Sequence, residues 1–116
     1  MRVEVYGIKN CDSVKKAIAW LKENSIDFNF HDFKTEGISE GKLKEWMLSD
    51  PEKKLINRNG TTWRALSADE KQKADKKSGA LQLMKINNSL IKRPVAEYGN
   101  SIMIGFDPEK YQRQFC

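Results

Sequence analysis

Cysteine is the most reactive residue type in this chain, and Cys11 stands where its chemistry is favoured. It lies in Tyr6-Gly7-Ile8-Lys9-Asn10-Cys11-Asp12-Ser13-Val14, after a short alternating apolar run and before an amphipathic stretch. A strand, a turn and a helix in that order aim the first backbone N–H groups of the helix, with the positive end of its dipole, at the turn. Those groups stabilise an anion, so a thiol placed there is drawn toward thiolate. A small buried side chain that happens to be cysteine is the bland alternative, and the local pattern leaves both open. A distant segment, Lys92-Arg93-Pro94, is considered together with it.

The benefit of such a shift can be sized. A thiol pKa lowered by about two units raises the thiolate fraction at neutral pH about 25-fold, while intrinsic nucleophilicity falls about eightfold. The net gain in attack is a few-fold, and the larger gain is as a leaving group. The site therefore suits a covalent intermediate that forms and is then released. Release needs a second thiol. A Cys-x-x-Cys dithiol would carry it at position 14, where this chain has Val14. Cys116, the other cysteine, could resolve Cys11 from a flexible tail, but it is the last residue, and terminal residues are usually mobile and inert. An external thiol, most simply glutathione, is the remaining resolver.

The elements that must hold Cys11 follow from pattern. Val3 and Val5 alternate with Arg2, Glu4 and Tyr6, the period of a half-buried strand. Val14, Ala17, Ile18 and Leu21 then fall on one helical face, and Asn24-Ser25 ends the helix. Ile26, Phe28 and Phe30 alternate with Asp27, Asn29 and His31 as a second strand, completing a parallel βαβ unit. His31 is expected on the less buried face. The middle of the chain reads helical: Ser39 caps a segment with Leu43, Trp46 and Met47 on one face, and Asp50-Pro51 interrupts it. Ser67-x-x-Glu70 is a capping box, and Ala80, Leu81 and Met84 mark a further helix ended by Asn87-Asn88. Val95 opens a third strand and Ile102 to Ile104 a fourth, joined as an antiparallel hairpin at Gly99-Asn100. Asp107-Pro108 starts a last helix presenting Tyr111 and Phe115.

The expected order is β-α-β, a helical insert over about residues 35–90, then β-β-α, within one domain spanning 1–116. That is an α/β, thioredoxin-like arrangement around a mixed four-stranded sheet. The length of 116 residues suits one core. No apolar run reaches the roughly 20 residues of a membrane helix, and without an apolar h-region near Met1 no secretory signal is expected. Two cysteines make no disulfide framework, so a cytoplasmic, reducing compartment is expected. Twenty-one basic and 16 acidic residues give a net charge of +5, but they are interspersed, as in Lys71 to Lys77 broken by Asp75. A solvated helix face explains them better than a nucleic-acid surface. No Cys/His cluster has metal-ligand spacing, and a monomer is the default at this size.

Several blocks together resemble the arsenate-reductase/Spx family, in its YffB-like branch. They are Tyr6-Gly-Ile-x-Asn-Cys11-Asp-Ser, Phe30-His-Asp-Phe-Lys34, Gly37-Ile38, Asn59-Gly-Thr-Thr-Trp-Arg64, Ile91-Lys-Arg-Pro-Val95 and Gly105-Phe106. The resemblance implies that Cys11 is the catalytic nucleophile, that Arg93 lies beside its thiolate, and that Pro94 is a cis-proline. It makes Lys9, Asn10, Arg58, Arg64 and Pro94 the candidates for holding substrate. It also implies a monothiol reductase with no bound cofactor, acting on a small-molecule or disulfide substrate with glutathione or a glutaredoxin-like thiol as partner. Arsenate itself fits less well. Family arsenate reductases hold the oxyanion with three arginines, of which Arg93 matches one. The second is ambiguous between Arg58 and Arg64, and Gly105-Phe106-Asp107 stands where the third would be. A charged hydrogen bond contributes about 1.5–3 kcal/mol, so losing one costs roughly 10- to 150-fold. A polymerase-binding regulator like Spx is the reading from another class, and Val14 removes the dithiol on which that branch switches. Thr61, Thr62 and Trp63 could line a cleft, with a place in the core of the insert as the rival for Trp63.

Overall fold

The computed structural model describes residues 2–116. They divide into two compact units: the chain up to Glu36 together with Arg93–Cys116, and Gly37–Lys92.

In the first unit, β1 (Val3–Gly7), α1 (Asp12–Glu23), β2 (Phe28–Asp32), a one-turn α2 (Phe33–Glu36), β3 (Val95–Tyr98), β4 (Ser101–Ile104) and α7 (Pro108–Phe115) follow in chain order. The sheet order is β2-β1-β3-β4. β1 runs parallel to β2 and antiparallel to β3, so Val5 pairs with both Phe30 and Ala96. β4 returns antiparallel to β3 through a turn at Gly99, whose φ of 59° is the left-handed value that glycine tolerates. The mixed four-stranded sheet expected from the sequence is therefore present.

Alternation in β1 buries Val3 and Val5 completely, and the 3.6-residue period of α1 buries Val14, Ala17 and Leu21, of which Ala17 and Leu21 join the same core. Tyr111 of α7 closes that core, with Trp20, Phe106 and Phe115 packed edge-on around its ring. Asp107 caps α7 by accepting from the Glu109 N–H at 3.0 Å, with Pro108 at the first helical position.

Both early strands sit later than the alternation suggested. β1 starts at Val3 rather than Arg2, and runs to Gly7, which pairs with Asp32. β2 starts at Phe28 rather than Ile26. Ser25 takes a left-handed φ of 55°, and the Ile26 N–H bonds back to Leu21 O at 2.9 Å, so Ile26 closes the helix end before the strand begins.

The Gly37–Lys92 unit holds α3 (Glu40–Leu48), α4 (Thr61–Arg64), α5 (Ala68–Lys73), α6 (Lys77–Ile86) and a 3-10 turn at Asn88–Leu90. Ser39 caps α3 by accepting from the Lys42 N–H, and Ser67 with Glu70 forms the expected capping box of α5. The Asp50 carboxylate accepts from the Lys54 and Leu55 N–H groups at 2.9 and 2.7 Å, which turns the chain after α3. An isolated antiparallel bridge pairs Ile56, between α3 and α4, with Ile91 near the end of the unit. The sequence pattern shows neither α2 nor α4, because four residues are too few for a helical period to emerge.

Candidate active site

β1 ends at Gly7, Ile8 to Asn10 make the turn, and Cys11 is the N-cap of α1 with extended backbone (φ −114°, ψ 127°). Its side chain makes no short capping hydrogen bond. The sulfur is nevertheless held by the groups around it. Burial of the half-exposed thiol pushes its pKa up, but the Val14 N–H, the Arg93 guanidinium as hydrogen-bond donor and as charge, and the Ser13 N–H outweigh that. The net direction is down from the ordinary thiol value. A helix N-terminus and a cation thus both favour thiolate on Cys11.

Arg93 reaches the site because of the sheet. Tyr6 pairs with Val95, so the residues just before β3 lie alongside the end of β1. The bond between Arg93 and Pro94 is cis, Pro94 is buried, and its carbonyl accepts from the Gly105 N–H at 2.8 Å. Pro94 is thus pinned to the end of β4 while Arg93 is carried to Cys11. Val14 at the third position after Cys11 is fully buried.

Lys9 and Asn10 are exposed on the turn before Cys11. Arg58 and Arg64 lie in the Gly37–Lys92 unit, and each bonds there. The Arg58 guanidinium donates to Lys53 O at 3.0 Å and Ala74 O at 3.4 Å, and lies over the Trp63 ring with 5.4 Å to its centroid. Arg64 donates to Asn59 O at 2.7 Å. Trp63 is half-buried beneath Arg58. Cys116 is exposed after α7.

The sequence did not single out the cluster on the open face of β1 and β2. His31 Nε2 lies 3.0 Å from Glu4 and Nδ1 3.2 Å from Glu36, while its ring stacks on Tyr6 at 4.6 Å between centroids. Burial lowers the His31 pKa, but hydrogen bonds to the two carboxylates and their charges raise it overall. Glu4 and His31 share a face two pairs apart in the β1–β2 register, a signal that appears only once the strands are aligned.

An uncharacterized protein of Haemophilus influenzae is 38% identical over 114 residues, covering 98% of this chain and 99% of that one. Among solved structures, a YffB protein is 39% identical, with a TM-score of 0.92 over 98% of this chain and 99% of that chain. An arsenate reductase (ArsC) related protein from Brucella melitensis is 42% identical, with a TM-score of 0.78 over 99% and 95% of the two chains. Residues 6–114, which include Cys11 and Arg93, match the ArsC family, and the chain belongs to that arsenate-reductase-related family.

Proposed function

We propose that the protein is a monothiol oxidoreductase whose Cys11 forms a covalent adduct that an external thiol, most simply glutathione, resolves. The observation that carries this reading is the convergence of the α1 N-terminus and Arg93 on the Cys11 sulfur. With a disulfide substrate, the Cys11 thiolate attacks one sulfur, forms a mixed disulfide and expels the other half as a thiolate. A glutathione thiolate then attacks the sulfur bonded to Cys11. Cys11 leaves as thiolate and the half-substrate as its mixed disulfide with glutathione. A second glutathione thiolate releases that half as a thiol, so two glutathiones end as one disulfide and two electrons have reached the substrate. In this reading Lys9 and Asn10, exposed on the turn before Cys11, and the backbone at cis-Pro94 receive the substrate. A glutaredoxin-like thiol would serve in place of glutathione, and the two free cysteines suit a reducing compartment. No helix among the described residues is long and apolar enough to cross a membrane.

Arsenate is the second reading, favoured by the family. Against it, Gly105-Phe106-Asp107 occupies the place of a third arginine, and Arg58 and Arg64 direct donors to carbonyls of their own unit. A regulator working through a dithiol switch is disfavoured by Val14.

Intact-mass spectrometry after exposure to oxidised glutathione, from about pH 5 to about pH 9, tests the proposal on the parent chain, Cys11→Ser and Cys116→Ser. One adduct on Cys11, forming with an apparent pKa below the ordinary thiol range and removed by reduced glutathione, is expected. Reaction at Cys116 alone, or at Cys11 no faster than an ordinary exposed thiol, would defeat it.

A further inference from the structure

The charge of this chain is not evenly shared. Gly37–Lys92 carries 12 Lys and Arg against 7 Asp and Glu, whereas the rest carries 9 against 9. The whole net charge of +5 therefore belongs to the helical unit. The same unit contains the two large apolar side chains most open to water among the described residues, Leu48 at the end of α3 and Ile86 at the end of α6, each 82% exposed.

The two helices run antiparallel. Lys85 near the end of α6 meets Glu40 at the start of α3 at 3.5 Å, while Leu48 and Lys77, from the opposite ends, line one groove. That groove has a volume of about 520 Å³ and mostly apolar walls. From α3 it takes Lys44, Met47 and Leu48, the side chains of a single face, and from α6 it takes Lys77 and Leu81 at i and i+4. A seam between two antiparallel helices, with apolar residues at helical spacing on both sides, has the shape a third helix fills in a bundle.

Its rim also has a sign. Glu40 is matched by Lys85, but exposed Lys44 and Lys77 make no ion pair among the described residues. A solvated helix face accounts for lysines alone. It does not account for Leu48 standing beside them over an apolar floor.

We propose that the α3–α6 groove is a docking surface for an acidic amphipathic helix of a partner protein. Its apolar face lies on Met47, Leu48 and Leu81, and its carboxylates face Lys44 and Lys77. The ten residues of α6 span about 15 Å, so the docked segment has about three turns. The residues lining this surface all belong to Gly37–Lys92, and its occupancy does not depend on thiol chemistry.

The test uses the full chain, isotope-labelled for amide NMR. The probe is a synthetic helical peptide of about 14 residues, with leucines at i, i+3, i+4 and i+7 and glutamates flanking them. A sibling peptide carries lysine for each glutamate. The acidic peptide should shift the amides of Lys44, Leu48, Lys77 and Leu81, and the basic sibling should bind at least about fivefold more weakly. Lys44→Glu with Lys77→Glu should reverse that order, and Leu48→Asp should weaken both peptides. All three positions are exposed, and unchanged thermal melting would show that the variants fold. Equal binding of the two peptides, or shifts confined to other residues, would overturn the proposal. So would self-association of the chain that Leu48→Asp disperses, since a second copy would then be the occupant. Stronger shifts of the same amides by a DNA duplex would overturn it as well.

Discussion

Gly7 at the end of β1 and Val14 in the first turn of α1 are in contact so close that position 7 has no room for a side chain. A β-carbon there would lie 2.6 Å from Val14 Cγ2 and 3.8 Å from the Cβ of Arg93. Val14 is β-branched and fully buried, so it cannot easily turn aside. Its N–H is one of the groups that favour the Cys11 thiolate. Strand end, helix start and cation are thus fitted to one another at Gly7.

Gly7→Ala should destabilise the protein by about 1–3 kcal/mol through overpacking. It should also move the Cys11 titration upward, because the first turn of α1 must shift. Adding Val14→Ala removes the clashing methyls and should recover most of the titration shift. Urea melts and thiolate absorbance against pH, in a Cys116→Ser background, separate the two effects. An unmoved titration in Gly7→Ala would show that the contact matters for packing only.

Arg93→Ala should leave Cys11 with the helix N–H groups alone and raise its pKa. Alkylation at neutral pH should slow by about three- to tenfold. The sign for stability follows from the same shift. A thiol whose folded pKa is lowered stabilises the fold above the ordinary thiol pKa, and that contribution is lost as pH falls through the folded value. The variant should therefore show a flatter rise of stability with pH over that window. Arg93→Lys should restore part of the effect, by charge without the fork of donors.

His31 offers a second pH dependence, of opposite sense. Its folded pKa is raised above the ordinary 6.5 by Glu4 and Glu36. The stabilisation is complete below that ordinary value and is lost as pH rises through the higher folded one. Glu36→Gln should bring the His31 titration down and shrink the loss. As the chain has one histidine, its ring resonance reads this directly. A His31 midpoint at or below 6.5 would contradict the double carboxylate contact.

The Tyr111 hydroxyl is buried and has no hydrogen-bond partner among the described residues, and burial alone pushes its pKa up. Tyr111→Phe should be neutral or stabilising by up to about 1 kcal/mol, since it removes a desolvated polar group and keeps the ring. Tyr111→Ala should cost about 3–5 kcal/mol by opening the aromatic core. Denaturant unfolding of the pair distinguishes ring from hydroxyl.

Elements with strong local chemistry are legible from the residues alone. The caps at Ser39, Ser67 and Asp107 and the turn at Gly99-Asn100 act through neighbours in sequence, so their residues announce them. Cys11 at the head of α1 is legible for the same reason. The start of β2 is not, because Ile26 has the right parity for the strand yet serves the end of α1. Arg58 shows the limit for the site. Its charge and position make it a candidate anion ligand, but its bonds to Lys53 O and Ala74 O depend on a chain reversal that no local pattern encodes. The His31 cluster is hidden likewise, since Glu4 and His31 meet only through the register of β1 on β2.

Val14 also decides what kind of redox memory the molecule can have. With an aliphatic side chain buried where a dithiol protein has its second sulfur, Cys11 cannot close a disulfide across the first turn of α1. A dithiol domain can store an electron pair and be found oxidised or reduced long after the event. A lone sulfur at this place has no such internal record. Its state at any moment reports the thiols and disulfides in the surrounding solution.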